Sequence, residues 1–134
     1  KINKVRTLAD LTLLEKELVD RFGKLDSDLT LFLYERLFNY QASLLKVSDV
    51  NFMNNTIKLT MPVDDNPYLV VKELFAQTIL DNYLVEFNVY KNNLILKIDM
   101  KNDKRNWLFF ITELFDIYFK KINSQLENQQ YYQK

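Results

Sequence analysis

An amphipathic helical pattern and the only glycine of the 134 residues meet in the stretch Leu14-Glu15-Lys16-Glu17-Leu18-Val19-Asp20-Arg21-Phe22-Gly23. Apolar residues recur here at steps of three and four, the spacing of one helix face. They are Leu11, Leu14, Leu18 and Phe22. Gly23 follows the last of them, and glycine accepts a positive φ at a helix end without steric cost. The pattern predicts a helix from Leu8 to Phe22, capped by Thr7 with Asp10 three residues later.

Three charged residues of this helix lie away from the apolar stripe. Glu17, Asp20 and Arg21 are spaced at i, i+3 and i+4, so they share a face. Glu17 and Arg21 are placed for a local ion pair worth a few tenths of a kcal/mol. Arg21 is equally able to reach a neighbouring element. The residues alone leave open whether this triplet is a structural ion pair or a contact surface.

Composition limits the classes of protein that the chain can represent. Its length suits a single domain, residues 1–134, with one core. The 18 basic and 18 acidic residues balance, which argues against a dedicated nucleic-acid binder. With no cysteine and no histidine, the chain lacks a disulfide framework, a thiolate metal site and the commonest general base. One glycine is too few for a phosphate-binding loop of the P-loop or dinucleotide type.

The remaining pattern predicts an α+β fold. Two N-terminal helices precede two β-hairpin-plus-helix units, which we expect to share a mainly antiparallel sheet. The expected elements are helices 8–22 and 29–45, strands 47–53 and 56–61, a helix from Tyr68 to about Asp81, strands 85–90 and 94–100, and a helix 104–126. Ser27 or Asp28 is expected to cap the second helix. Asn66 is expected to cap the third, with Pro67 at its first position, and Asn102 or Asp103 the last.

Carboxylates outside the first helix are candidate catalytic or metal-binding groups. Asp64-Asp65 is compatible with a two-carboxylate hydrolase, and Asp99, Asp103 or Asp64-Asp65 with Mg²⁺ or Ca²⁺. No EF-hand spacing is present. Solvated or capping carboxylates are the simpler interpretation, so we expect no catalytic residue, no metal and no cofactor.

A basic cluster near the last helix raises the alternative of direct nucleic-acid contact. It consists of Lys101, Lys104, Arg105, Lys120 and Lys121. Trp107 and Phe110 could stack on bases. Both, however, fall at helical spacing with Leu114, which is typical of core residues. We therefore interpret these aromatics as core.

The helix motif resembles the C-terminal domain of the bacterial transcription-repair coupling factor (Mfd). Members of that family usually read E-L-x-D-R-F-G-x-L-P. The chain reads Glu17-Leu18-Val19-Asp20-Arg21-Phe22-Gly23-Lys24-Leu25-Asp26, with Asp26 in place of the proline. The order of the elements after the motif also fits the family. The resemblance implies that the chain is a fragment of a larger multidomain, cytoplasmic protein.

The resemblance also implies a function. The parent protein would be an ATP-driven DNA translocase that displaces stalled RNA polymerase from double-stranded DNA and recruits the repair protein UvrA. This domain would be non-catalytic and autoinhibitory, packing on the N-terminal UvrA-binding module within the same chain. Carried over by motif, the contact residues would be Glu17, Asp20 and Arg21. The alternatives are a nucleic-acid-binding accessory domain and a protein-interaction scaffold unrelated to repair. No membrane contact is expected.

Overall fold

Helices cover one side of an antiparallel sheet in this computed structural model, which describes residues 4–101 and 103–132, with side chains up to residue 125. The helices are α1 (Leu8–Phe22), α2 (Ser27–Leu44), α3 (Val71–Phe75) and α4 (Trp107–Tyr132). The strands are β1 (Asp49–Met53), β2 (Thr56–Pro62), β3 (Leu84–Tyr90) and β4 (Asn93–Asp99). A 3₁₀ helix, Thr78–Asn82, precedes β3. The predicted α+β class is confirmed.

Two hairpins meet at the centre of the sheet, whose strand order is β1-β2-β4-β3, with all neighbours antiparallel. Asn54 and Asn55 turn the first hairpin with φ of 54° and 59°. Lys91 and Asn92 turn the second with φ of 48° and 65°. Two consecutive positive φ values match the right-handed twist of the strands, which is why asparagine is favoured there. The predicted sharing of one sheet by both hairpins is confirmed.

The larger core lies between the sheet and the helices. Alternate residues of β2 and β4 are fully buried, as period-two patterning requires; they are Ile57, Leu59, Met61, Leu94, Leu96 and Ile98. The buried face of α4 packs on them with Phe110, Leu114, Phe115 and Tyr118, all 0% exposed. Each such side chain stabilises the fold by about 1.5–3 kcal/mol through burial.

A smaller buried cluster holds α1 against α2. Among the described residues it consists of Val5, Leu11, Leu14, Leu33 and Leu37. Leu18 and Leu25 pack at its border. Phe22, predicted to extend the apolar stripe, is 77% exposed, so that part of the prediction is wrong. Leu25 of the connector joins the cluster instead, whereas the last turn of α1 stays exposed.

The third predicted helix is much shorter than expected. It is helical only from Val71 to Phe75 and gives way to the 3₁₀ segment. Its late start has a cause in α4: the hydroxyl of Tyr118 accepts from the Val70 N–H at 2.7 Å and donates to the Tyr68 carbonyl. These contacts hold the preceding backbone outside helical geometry. The amide of Gln77 then donates to the Glu73 carbonyl at 2.8 Å, near the end of the turn.

Helix caps also differ from expectation. Asn66 does not cap α3, because its buried amide donates to the carbonyls of Leu45 and Pro62 at 2.7 Å each. Asp26, rather than Ser27 or Asp28, caps α2 by accepting from the Leu29 N–H at 2.8 Å.

The last helix begins and ends later than expected. The Asn106 side chain accepts from the Leu108 N–H at 3.0 Å, at the start of α4. Asp103 instead accepts from the Arg105 N–H at 2.9 Å in the turn before it, and Asn102 lies outside the described residues. The helix continues to Tyr132, six residues past the expected end.

Candidate interaction surface

The first helix is anchored at its N-terminal end from two directions. The Thr7 hydroxyl accepts from the Asp10 N–H at 3.1 Å, and the Asp10 carboxylate accepts from the Thr7 N–H at 3.2 Å, completing the predicted capping box. The N–H of Leu8, the first residue of the helix, donates to Oδ1 of Asp116 on α4 at 3.0 Å. Asp116 is buried, so this bond ties the start of α1 to the interior of the domain.

The C-terminal end of α1 is fixed by the predicted glycine. Gly23 has φ of 84° and ψ of −166°, a region of backbone space that is essentially restricted to glycine. Its N–H donates to the Val19 carbonyl at 2.8 Å, which satisfies one of the last carbonyls of the helix. The chain then reverses, and Asp26 caps α2. The aspartate that replaces the usual proline therefore has a structural role of its own.

The charged triplet lies on the exposed side of this anchored helix. Nη2 of Arg21 is 3.3 Å from Oε1 of Glu17, the predicted i,i+4 pair. The two side chains are 62% and 38% exposed, so screening by water limits what the pair adds to stability. Asp20 is exposed as well. The structure therefore brings Glu17 and Arg21 together and leaves the whole triplet reachable by another protein surface.

An exposed leucine on the same face was missed from sequence. Leu13 is 68% exposed and lies four residues before Glu17 and seven before Asp20, which puts the three side chains on one side of the helix. Its exposure could have been predicted, because Leu13 lies outside the apolar stripe formed by Leu11, Leu14 and Leu18. We call Leu13, Glu17, Asp20 and Arg21 the α1 outer face.

Glu15 differs from these acids because it borders the contact between α1 and α2. Burial raises the pKa of its carboxyl above the ordinary value. Burial also raises the pKa of Tyr34 on α2, and the negative charges of Glu15 and Glu113 add to that rise. Glu15 therefore belongs to the packing of the helix, not to the α1 outer face.

The candidate metal or catalytic carboxylates outside α1 either form local contacts or lie in an exposed turn. Asp103 accepts from the Tyr83 hydroxyl at 2.7 Å and pairs with Arg105 at 2.8 Å, which holds the pKa of its carboxyl well below the usual range. Asp99 accepts from the Lys101 N–H at 2.9 Å. Asp64 and Asp65 lie in a turn several residues before α3 and do not cap it. Over the described part of the chain, no three acidic side chains converge as metal ligands would.

The basic cluster is largely engaged in ion pairs. Arg105 pairs with Asp103, and its Nη1 is 3.7 Å from Glu113. Lys120 lies 3.1 Å from Asp116, and Lys121 lies 3.4 Å from Glu73.

The aromatic residues near this cluster belong to the core, as predicted. Phe110 is 0% exposed, and Trp107 packs against Phe38 and Phe52. Phe110 is therefore not available to stack on bases, and Trp107, which is partly buried, already stacks on Phe52.

Within the described residues, no helix has both the length and the apolar composition needed to cross a bilayer.

An α+β domain whose anchored helix presents an exposed charged face is suited to contact another protein. Comparison with known structures gives this fold a specific counterpart. The chain aligns with the crystal structure of the C-terminal domain of transcription-repair coupling factor over 92% of its own length and 77% of the other chain, with a TM-score of 0.68 and 20% identity.

The resemblance predicted from the helix motif is thereby confirmed at the level of the fold. No protein-family model matches the chain, and no curated protein matches its sequence.

Proposed function

We propose that this chain is a non-catalytic regulatory domain of a transcription-repair coupling factor, and that it masks the UvrA-binding module of the same protein until the motor engages stalled RNA polymerase. The α1 outer face would make the contact. The observation that carries the proposal is the exposed position of the motif residues Glu17, Asp20 and Arg21 on a domain with the coupling-factor C-terminal fold.

The construction of α1 supports a role in recognition. A contact surface must hold its side chains in a fixed arrangement, because ordering them on binding costs free energy. The capping box, the Leu8–Asp116 hydrogen bond and the Gly23 terminus fix the helix at both ends. The charged side chains are therefore presented from a rigid base.

The chemistry of the α1 outer face suits a reversible contact. Leu13 offers one apolar side chain that burial against a partner would desolvate, and the charges around it would form a polar rim. Charged rims favour specificity and association rate over affinity. An autoinhibitory contact has to have a modest binding free energy, because the activating event must overcome it.

The decisive measurement is binding of this chain to the N-terminal UvrA-binding module of its own parent protein, at low and moderate salt. We expect weak, salt-sensitive binding that the double substitution Asp20→Ala/Arg21→Ala abolishes. Glu86→Ala/Lys97→Ala is the matched control: it removes one acid and one base that are cross-strand neighbours, exposed on the open face of the sheet. The control should bind like the unmodified chain, and both doubles should keep the unmodified circular dichroism spectrum.

Leu13→Ala separates the apolar contribution from the charges. Because Leu13 is largely exposed, its truncation should change the free energy of unfolding by less than about 0.5 kcal/mol. Binding to the module should nevertheless weaken severalfold, and the loss should persist at moderate salt. Unchanged binding of Leu13→Ala would limit the contact to the charged residues.

In the full-length protein, Asp20→Ala/Arg21→Ala should raise binding to UvrA, because the module would no longer be masked. No binding of the folded chain to the module, together with unchanged UvrA binding in the full-length variant, would refute the proposal. Salt-dependent DNA binding by the chain would then favour the accessory nucleic-acid domain. If the chain binds neither the module nor DNA, an unrelated interaction scaffold is favoured.

A further inference from the structure

Strand β3 forms an edge of the sheet and is unusually apolar for such a position. Its sequence is Leu84-Val85-Glu86-Phe87-Asn88-Val89-Tyr90. It pairs with β4 on one side, and no strand of the described residues pairs with its other side. The side chains of Leu84, Phe87, Val89 and Tyr90 are 51% to 59% exposed.

The hydrogen-bonding groups on this edge are set by the register of the hairpin. The Met100 N–H donates to the Asn55 carbonyl at 2.7 Å, which shows that even-numbered residues of β4 direct their backbone groups toward β2. Odd-numbered residues of β4 therefore direct their backbone groups toward β3. Their partners there are Leu84, Glu86, Asn88 and Tyr90. The N–H and C=O groups of Val85, Phe87 and Val89 consequently point outward from the sheet.

Several common protections of an exposed edge are missing from β3. Its charged residue, Glu86, lies on the open face of the sheet across from Lys97, and Phe75 of α3 stacks on the Phe87 ring on the other face, so neither blocks the backbone edge. Edge strands are commonly blunted by lysine, proline, a bulge or short length. The strand has seven residues in continuous register with β4, and it contains neither lysine nor proline. The opposite edge, β1, is five residues long. The β3 edge is therefore open to pairing with another strand.

The sequence of β3 fits a second copy of itself. An antiparallel pair centred on Phe87 places Phe87 opposite Phe87, Val85 opposite Val89, and Leu84 opposite Tyr90. The polar pair is Glu86 opposite Asn88, so the carboxylates of the two copies do not face each other. Within its own sheet, Glu86 already lies across from Lys97. In this register the outward backbone groups at 85, 87 and 89 can all pair, and the two strands overlap over their whole length.

We propose that two copies of this chain associate through β3, antiparallel about a two-fold axis at Phe87, to form one sheet that continues across both copies. The paired backbone groups would be those of Phe87 with Phe87, and of Val85 with Val89 in each direction. The contact is a strand edge with its flanking side chains, smaller than a standard interface, so the dimer should be weak, with a dissociation constant of about 10–100 µM. This association does not depend on the function proposed for α1.

The test is sedimentation velocity over a concentration series, with hydrogen exchange of individual amides at the lowest and highest concentrations. We expect a monomer–dimer equilibrium. The Val85, Phe87 and Val89 amides should gain protection with concentration, whereas the Glu86 and Asn88 amides, bonded to β4, should be protected throughout. This alternation is specific to pairing at the β3 edge, and its dependence on the concentration of the chain is specific to a second copy.

Val89→Pro removes one outward N–H without breaking a bond to β4, so it should fold and weaken dimerisation at least tenfold. Val50→Pro is the matched control, because Val50 occupies the equivalent outward position on β1. It should dimerise like the unmodified chain. If Val89→Pro fails to fold, Val89→Lys decides, since it places a charge within the paired edge.

Three results would overturn the proposal: a chain that stays monomeric at the highest concentration, a dimer without alternating protection, or equal weakening by the Val50 control. A monomeric chain whose Val85, Phe87 and Val89 amides become protected only on adding an extended peptide of different sequence would assign the edge to a foreign strand instead.

Discussion

The backbone N–H of Leu8 donates to the carboxylate of Asp116 at 3.0 Å, across 108 positions of the chain. This bond joins the first residue of α1 to the middle of α4. Asp116 also pairs with Lys120 at 3.1 Å, but that partner is 66% exposed and the pair is screened by water. The hydrogen bond from Leu8 to the buried Asp116 carboxylate therefore contributes more to stability than the exposed ion pair with Lys120.

Replacing Asp116 tests this anchor. Asp116→Ala leaves the Leu8 N–H without its acceptor, so the free energy of unfolding should fall by about 1–3 kcal/mol. Lys120→Ala, which removes only the exposed partner, should change it by less than about 1 kcal/mol. Urea denaturation of the two variants measures both values. Equal losses would mean that the ion pair, rather than the hydrogen bond to α1, determines the effect.

Substitution of Gly23 tests the end of α1. An added Cβ would meet no atom within 4 Å, so steric crowding is excluded and only the backbone conformation matters. Gly23→Ala should destabilise the chain by about 1–3 kcal/mol in thermal or urea unfolding. Gly23→Asn should be no better, because asparagine tolerates the left-handed helical region rather than the ψ of −166° found here. Full rescue by asparagine would contradict this conformation.

The hydroxyl of Tyr118 provides a third test. It bridges the Val70 N–H and the Tyr68 carbonyl, so Tyr118→Phe orphans a donor and an acceptor while keeping the ring. The expected loss in free energy of unfolding is about 1–3 kcal/mol. Tyr90→Phe, at an exposed position, is the control and should stay within about 0.5 kcal/mol. If the two variants are equally stable, the bridge is not what holds the backbone before the third helix in its extended form.

Acid titration tests the Asp103–Arg105 pair. Hydrogen bonds from Arg105 hold the pKa of Asp103 below its unfolded value, so the stability it provides is present above that value and is lost as pH falls toward the folded pKa. The unfolded pKa of an aspartate is about 3.9. The difference in melting temperature between the unmodified chain and Asp103→Asn should be largest near neutral pH and shrink below about pH 4. A difference that grows on acidification would contradict the pairing.

Elements specified by neighbouring residues were predictable from sequence. The bounds of α1 follow from the Thr7–Asp10 capping box and Gly23. The strands β2 and β4 follow from an apolar residue at every second position, each of which the structure buries. Asn54-Asn55 marked its turn for the same local reason. The Glu17–Arg21 pair was likewise predictable, because i,i+4 spacing fixes it within one helix.

Features that depend on distant contacts were not predictable. The late start of the third helix depends on Tyr118, 48 positions beyond the residue whose N–H it binds. Asn66 failed as a cap because Leu45 and Pro62 present carbonyls that only the folded chain brings near. The exposure of Phe22 and the edge position of β3 likewise depend on how whole elements are arranged, which local patterns do not encode.

The separation of the buried apolar residues into two clusters has a dynamic consequence. The cluster that holds α1 is the smaller one, and α2 contributes Leu33 and Leu37 to it but Phe38 to the other. Loss of the α1 contacts and the Leu8–Asp116 bond would therefore leave the sheet and its core intact. Local opening of such a unit requires less free energy than global unfolding. We therefore expect α1, which is fixed in the folded domain, to open as a cooperative unit before the sheet unfolds.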